Sequence, residues 1–260
     1  MNYENIKLEI GERVGRVTIA RPKVLNALNS QTLAELGHAL DVCREDSNVA
    51  VVLLTGEGQK AFVAGADIGE LVTMNPLSAK DLARNGQAVL ERLENMGKPT
   101  VAMINGFALG GGLELALACS LRTASTSAKV GLPEVSLGII PGYGGTQRLM
   151  RIAGPGVARE WILTGDLFSA EEAHRVGVIN RLFAPEELEA GTAKLLKTLL
   201  SRGPVALRFA MEAVNRGQNM PQQEGEIMEC DLFGLAASTQ DMKEGMGAFL
   251  EKRKAEFKGC

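Results

Sequence analysis

The chain has 260 residues, 45% of them hydrophobic, and its 28 basic and 31 acidic side chains give a formal net charge of -3. This length suffices for one large α/β domain with a full core, and the interspersed charges argue against a nucleic-acid partner. The N-terminus is polar and acidic and lacks the basic segment followed by an apolar segment that is typical of a signal peptide. No apolar run is long enough to span a membrane. We therefore expect a cytoplasmic protein without a membrane partner.

Cysteine and histidine usage narrows the chemistry further. The four cysteines are far apart and form no C-x-x-C pair, so the sequence predicts neither a metal site nor a disulfide framework. Only two histidines, His38 and His174, are present, which leaves few routes to a histidine-based triad. Acid–base chemistry is therefore expected from carboxylates.

Strands and helices alternate through the first part of the chain. Residues 6–10 and 14–20 are predicted to form a hairpin, followed by a helix that Asn29 or Ser30 caps. Residues 49–54 and 100–104 are apolar runs of strand length, typical of strands buried on both faces. The helical periodicity between these two runs predicts a crossover helix, and hence a parallel pair.

Helices dominate the end of the chain. Ser169 and Glu172 have capping-box spacing, and four further helices are predicted over residues 185–201, 204–215, 220–235 and 239–254. No linker interrupts the sequence. We interpret residues 1–195 as the core domain and residues 196–260 as a helical region that packs against other subunits or covers the active site.

Two glycine-rich turns, residues 62–68 and 106–114, follow the predicted parallel strands. Open α/β sheets build ligand sites at such strand ends, where glycine lets backbone N–H groups approach a ligand. Gly111 also lies at the start of a predicted helix, whose N-terminus favours anions. The turns together predict an anion hole, although glycines that merely make tight turns remain an alternative. Neither turn has a nucleotide-binding fingerprint.

Two glutamates are the candidate acid–base groups. Glu114 lies three residues after Gly111, so it should point into the same cavity, unless it only stabilises the helix N-terminus. Glu134 comes 20 residues later, 134 minus 114, and taken alone it is typical of a surface turn. A third glycine turn, residues 139–148, offers further amides for a water or a substrate oxygen.

Six segments, in this order, resemble signatures of the crotonase superfamily and of enoyl-CoA hydratases in particular. They are R-P-K-V-L-N-A-L at 21–28, A-F-V-A-G-A-D-I at 61–68, N-G-F-A-L-G-G-G-L-E-L-A at 105–116, G-L-P-E-V-S-L-G-I-I-P-G-Y-G-G-T-Q-R-L at 131–149, L-T-G-D at 163–166 and E-G-M-G-A-F-L-E-K-R-K at 244–254. This resemblance covers nearly the whole chain. It implies a crotonase-like α/β fold, in which repeated ββα units form a parallel-rich sheet core followed by a helical C-terminal region.

The resemblance also implies a reaction: reversible syn addition of water to a trans-2-enoyl-CoA, short-chain by default, giving a (3S)-3-hydroxyacyl-CoA. The N–H groups of Ala66 and Gly111 would hold the thioester oxygen. Glu114 would accept a proton from the water, and protonated Glu134 would deliver one to Cα. Family members with other reactions often change one or both of these carboxylates, so the retained pair favours hydration over Δ3,Δ2-enoyl-CoA isomerisation.

The remaining implied roles concern coenzyme A, water and assembly. Residues that match the substrate-binding positions of the family are Lys23, Leu25, Ala64, Asp67, Ile68, Gly142, Phe249 and Lys252. An ordinary amphipathic helix remains an alternative interpretation for the last two. The family resemblance implies trimers or pairs of trimers, no metal and no cofactor besides the CoA of the substrate. Some hydratase relatives bind RNA through a lysine-rich helix, but no dense lysine stripe occurs here.

Overall fold

The computed structural model describes residues 3–260, which form an α/β structure. Its strands are β1 Ile6–Gly11, β2 Val14–Ile19, β3 Val51–Gly56, β4 Ala61–Ala64, β5 Thr100–Ile104, β6 Phe107–Leu109, β7 Leu121–Ser125, β8 Lys129–Gly131, β9 Phe168–Ser169 and β10 Arg181–Phe183. Its α-helices are α1 Ser30–Glu45, α2 Ile68–Leu71, α3 Pro76–Glu94, α4 Gly111–Ala118, α5 Gly145–Thr164, α6 Ala170–Arg175, α7 Leu188–Leu200, α8 Pro204–Gly217, α9 Gln222–Ala237 and α10 Gln240–Leu250. Short 3₁₀ helices span Pro22–Val24, Pro133–Leu137 and Pro185–Glu187.

The strands form two sheets. One has the order β1-β2-β3-β5-β7-β10, and the other has the order β4-β6-β8-β9. Only β1 with β2 and β8 with β9 pair antiparallel; the other pairs are parallel. Along the chain, β3-β4, β5-β6 and β7-β8 each place one strand in each sheet before a helix follows. The prediction of repeated ββα units with a parallel-rich core is confirmed.

Helix α4 lies at the centre of this arrangement, and all eight of its residues are buried. It packs against α3, α5, β4 and β6. Burial on every side explains why its sequence is apolar almost throughout, because a helix without a solvent-facing side needs no polar stripe. The one ionisable side chain within it, Glu114, is therefore held in the interior by the fold.

Several local predictions are confirmed. The hairpin forms as β1 and β2, Asn29 caps α1 by accepting a hydrogen bond from Thr32 N at 2.8 Å, and β3 pairs parallel with β5. Ser169 caps α6 by accepting from Glu172 N at 3.2 Å. The glycine turns differ from expectation, because each contains a short strand of the second sheet, β4 or β6, which separates its glycines from β3 or β5. Strands of three or four residues are too short to show a period in the sequence.

The chain ends in helices α8, α9 and α10, as predicted, although α10 ends at Leu250 and not near residue 254. Lys252 has φ of +55°, a left-handed conformation that cannot continue a helix. The predicted boundary at residue 195 falls within α7, and the division into core and C-terminal region stays a prediction. Across residues 3–260 no helix combines the length and apolarity needed to cross a membrane.

Candidate active site

A cavity of about 950 Å³ opens between α3, the ends of β4 and β6, and the 3₁₀ helix Pro133–Leu137. It brings together residues from all three glycine turns predicted from the sequence. The predicted site residues on its wall are Ala64, Ala66, Ile68, Gly111, Glu114, Glu134 and Gly142. Ala64 and Gly142, which are 78 positions apart along the chain (142 minus 64), therefore share one site.

The backbone amides of Ala66 and Gly111 lie side by side in this wall. The N atom of Ala66 is 3.7 Å from the position that a Cβ would occupy on Gly111. Each amide follows a glycine with positive φ, +107° at Gly65 and +50° at Gly110, which is a conformation that side chains disfavour. Within residues 3–260, neither N–H donates a hydrogen bond to another protein group. Two donors are thus available to an oxygen in the cavity.

An ion pair fixes the loop that carries Ala66. Arg21 Nη2 donates to Asp67 Oδ2 at 3.0 Å, and Arg21 Nη1 donates to the Ala27 carbonyl at 2.5 Å. The other oxygen of Asp67 caps α2 by accepting from Gly69 N at 3.1 Å. Both Asp67 oxygens are therefore engaged within the protein, which makes Asp67 a support of the loop; a contact with CoA stays a prediction.

Glu114 is 1% exposed and accepts two hydrogen bonds on the same oxygen. Tyr143 N and Gly145 N donate to its Oε1 at 2.8 and 2.6 Å. Burial raises the pKa of Glu114 to about 7; the Gly145 N–H opposes this rise, and the charge of Glu134 adds to it. Glu114 therefore has a pKa suited to gaining and losing a proton near neutral pH.

Glu134 has a different environment. It lies in the 3₁₀ helix Pro133–Leu137, is 8% exposed, and its Oε2 is buried without a hydrogen-bond partner in the described part of the chain. Its Oε1 lies 2.8 Å from the Cβ position of Gly110, so a side chain at residue 110 would displace this carboxyl. Burial raises the pKa of Glu134 as well. An unpartnered buried oxygen favours the neutral form of the group.

The sequence did not single out Tyr143, although it lies on the cavity wall. Its ring packs against Gly86 of α3, and its Cε2 is 3.1 Å from the Cβ position of Gly111. Its hydroxyl is buried without a partner among the described residues, and burial raises the pKa of the phenol. The only signal in the sequence is an aromatic residue within a run of glycines.

Besides Asp67, four predicted substrate contacts lie outside the cavity wall. Lys23 and Leu25 are exposed beside the loop that carries Ala66, and the Leu25 carbonyl accepts from Ala64 N at 3.0 Å. Phe249, which is 82% exposed, and Lys252 lie at the end of α10. The proposed contacts of these four residues with CoA stay predictions.

Comparison with known proteins fits this geometry. Residues 9–260 match the family described as enoyl-CoA hydratase/isomerase. A crotonyl-CoA hydratase of Syntrophomonas wolfei is 47% identical, with 99% of each chain covered, and a short-chain-enoyl-CoA hydratase of Clostridium acetobutylicum is 45% identical, with 98% of each covered. The chain belongs to the enoyl-CoA hydratase/isomerase family.

The fold agrees with this family membership. The crystal structure of an enoyl-CoA hydratase from Bacillus anthracis superposes with a TM-score of 0.95 at 39% identity, covering 99% of this chain and 100% of that one. The crotonase-like fold implied by the sequence is thereby confirmed. Enzymes of this family act on CoA thioesters, which gives the cavity its substrate class.

Proposed function

We propose that this protein is a short-chain enoyl-CoA hydratase that adds water reversibly to trans-2-enoyl-CoA and forms (3S)-3-hydroxyacyl-CoA. One observation carries the proposal: two buried carboxyl groups, Glu114 and Glu134, line the same cavity as the two unpaired amides of Ala66 and Gly111. Relatives named crotonyl-CoA hydratase and short-chain-enoyl-CoA hydratase support the short acyl chain.

The two amides activate the substrate. The thioester oxygen accepts hydrogen bonds from Ala66 N and Gly111 N, which draws electrons from the conjugated double bond and makes Cβ electrophilic. As water adds, negative charge develops on that oxygen and is stabilised by both donors and by the N-terminus of α4. Removing one such donor typically costs about 3 kcal/mol of barrier.

The two carboxyl groups then divide the proton transfers. Ionised Glu114, whose Oε1 is held by two amides, keeps Oε2 for the water and accepts its proton as the oxygen bonds to Cβ. Protonated Glu134 delivers a proton to Cα. Two neighbouring buried carboxyls retain one proton between them, because a second negative charge is unfavourable. Both glutamates act on the same face of the double bond, so the hydroxyl and the hydrogen add syn.

The proposed reaction uses no metal and no cofactor besides the CoA that the substrate carries. The thioester itself supplies the electron sink, and the protein supplies hydrogen bonds and proton transfers. A cytoplasmic location and the absence of a nucleic-acid partner stay predictions.

We also propose that the chain assembles as a trimer or a pair of trimers. Large apolar side chains on the C-terminal helices are exposed in the single chain, a feature that monomers rarely have on such a scale. They are Val214, Ile227, Phe233, Leu235, Met246, Phe249 and Leu250. Light scattering should give three or six times the mass of one chain, and a monomeric mass would reject this assembly.

Loss of the conjugated thioester absorbance tests the reaction. Purified protein mixed with crotonyl-CoA should consume the chromophore and form 3-hydroxybutyryl-CoA. A second reaction with 3-butenoyl-CoA distinguishes isomerisation, which moves the double bond without taking up water. If crotonyl-CoA and longer 2-enoyl-CoAs are inert while the 3-enoyl thioester reacts, the protein is an isomerase instead.

A further inference from the structure

Arg148 lies in the first turn of α5, and its side chain folds back over the glycine turn that precedes this helix. Its Nη1 donates to the Tyr143 carbonyl at 2.6 Å, while Nε and Nη2 donate to the two carboxylate oxygens of Glu94 on α3, both at 2.8 Å. The Arg148 side chain is only 14% exposed. Gly144 leaves the space for it, because a Cβ there would lie 2.5 Å from Nη1.

The same turn holds the Glu114 carboxyl. Tyr143 donates its N–H to Glu114 Oε1 and accepts from Arg148 through its carbonyl, so this one residue is bonded on both sides. Gly145 supplies the second N–H to Glu114. Both donors to Glu114 therefore belong to a backbone segment that is tied to α3 through the Arg148–Glu94 fork.

A second contact from α3 strengthens this attachment. Gln87 Nε2 donates to the Gly142 carbonyl at 2.8 Å, at the other end of the turn. A bidentate arginine–carboxylate pair fixes orientation as well as distance, which a single contact such as that of Gln87 cannot do. The fork is therefore the group that sets the direction in which the two N–H groups point.

We propose that Arg148 is a positioning residue for Glu114, acting through its fork with Glu94 and the glycine turn to hold the carboxylate ionised and aimed at the substrate water. This inference rests on the proposed hydratase function. Three ionisable groups face Glu114: Glu134 from the 3₁₀ helix, Tyr143 from the turn and Arg148 from α5. Arg148 is the cation that lowers the pKa of Glu114 among them, although burial remains the largest influence.

The pH profile of kcat/KM for crotonyl-CoA separates positioning from general stability. Arg148→Gln should lower kcat/KM about tenfold or more at neutral pH and move the acidic limb to higher pH, because Glu114 loses both aligned donors and a nearby positive charge. Arg148→Lys keeps the charge without the fork, so its limb should return toward that of wild type while kcat stays reduced.

The matched control is Arg175→Gln. Arg175 forms the same kind of fork, with Glu172 on α6, outside the cavity wall. Its replacement should leave kcat/KM within about twofold of wild type and the acidic limb of the pH profile unmoved. If Arg148→Gln does not fold, Glu94→Gln takes its place, because it breaks the fork and retains the arginine charge. Its kcat should fall as in Arg148→Lys, and a wild-type kcat would overturn the inference.

Two outcomes would overturn the inference. An Arg148→Gln profile that matches Arg175→Gln would deny Arg148 any role, and an equal loss at every pH with an unmoved limb would make its role purely structural. Wild-type protein that fails to hydrate crotonyl-CoA would reject the proposed function itself. An active wild type with an unmoved limb in Arg148→Gln rejects only the role of Arg148.

Discussion

Glu114 and Glu134 line one cavity, yet their carboxyl groups lie in different hydrogen-bonding environments. Glu114 is part of a fully buried helix, and two amides of the neighbouring turn donate to one of its oxygens. Glu134 is part of a short 3₁₀ helix, and one of its oxygens is buried without a partner in the described chain. Donors favour a carboxylate, whereas an unpartnered buried oxygen favours the neutral acid.

The contrast shows how a fold assigns unlike roles to two identical side chains. Burial is the largest influence on the pKa of each group and raises both. Backbone N–H groups oppose the rise, from Gly145 and Tyr143 at Glu114 and from its own residue at Glu134. The turn before α5 supplies two N–H donors to Glu114 and none to Glu134, and substitutions at these positions test the consequences of that asymmetry.

The largest effect is expected when either carboxyl is removed. Glu114→Gln and Glu134→Gln should each lower kcat for crotonyl-CoA by roughly 10²–10⁴-fold, the usual contribution of one acid–base group. Steady-state hydration rates measure this. A variant that keeps more than about a tenth of the wild-type rate would remove that glutamate from the proton transfers.

A smaller effect is expected when only the environment of Glu114 changes. In Gly145→Ala, the new Cβ would lie 2.8 Å from Glu114 Cγ and 2.9 Å from its Oε1, so the carboxyl must leave its two amides. We expect a loss of roughly 10²-fold in kcat, comparable to misaligning a catalytic group. Gly156→Ala in the same helix meets no atom within 4 Å and serves as the control. Equal rates for the two variants would contradict the proposed importance of the amides.

The cost of keeping Glu114 buried should appear in the free energy of unfolding. In the folded protein its pKa of about 7 lies above the ordinary value of 4.5. The stability that protonated Glu114 contributes is therefore fully present below pH 4.5 and is lost as pH rises through about 7. Glu114→Gln mimics the neutral acid and avoids that loss. Denaturant titrations should find the variant more stable than wild type at pH 8, by up to roughly 3 kcal/mol, with little difference at pH 4.5. A constant difference between these pH values would argue against the raised pKa.

The smallest effect concerns Tyr143, which donates to Glu114 through its backbone and not through its phenol. Tyr143→Phe removes a buried hydroxyl that has no partner in the described chain, so stability should be unchanged or rise by up to about 1 kcal/mol. Urea unfolding and the hydration rate measure the outcome. A loss of more than about 1 kcal/mol would mean that the hydroxyl is satisfied in solution.

The sequence was sufficient for much of the fold because its long elements carry clear periods. The apolar runs of β3 and β5, the capped helix α1 and the crossover helix α3 were all predicted from pattern. The strands β4 and β6 were missed, because each has only a few residues and merges with a glycine turn. The existence of a second sheet was therefore not predictable from periodicity.

Site residues could be predicted where a family motif or a glycine turn marks them. Contacts between residues that are far apart in the sequence could not be predicted. Glu114, Glu134 and the two amide positions come from motifs. Glu94 and Arg148, which form the fork, are 54 residues apart and lie on two different helices, so no local sequence pattern connects them. The partnerless oxygen of Glu134 is likewise visible only in three dimensions.

Exchange of the α-hydrogens of butyryl-CoA with deuterium oxide tests the division of roles most directly. This saturated thioester cannot add water, so exchange reports only the removal of an α-proton by Glu134 in its ionised form and the return of a deuteron from the same carboxyl. We expect Glu114→Gln to retain exchange and Glu134→Gln to lose it. Loss of exchange in Glu114→Gln together with its retention in Glu134→Gln would reverse the two roles and contradict the account.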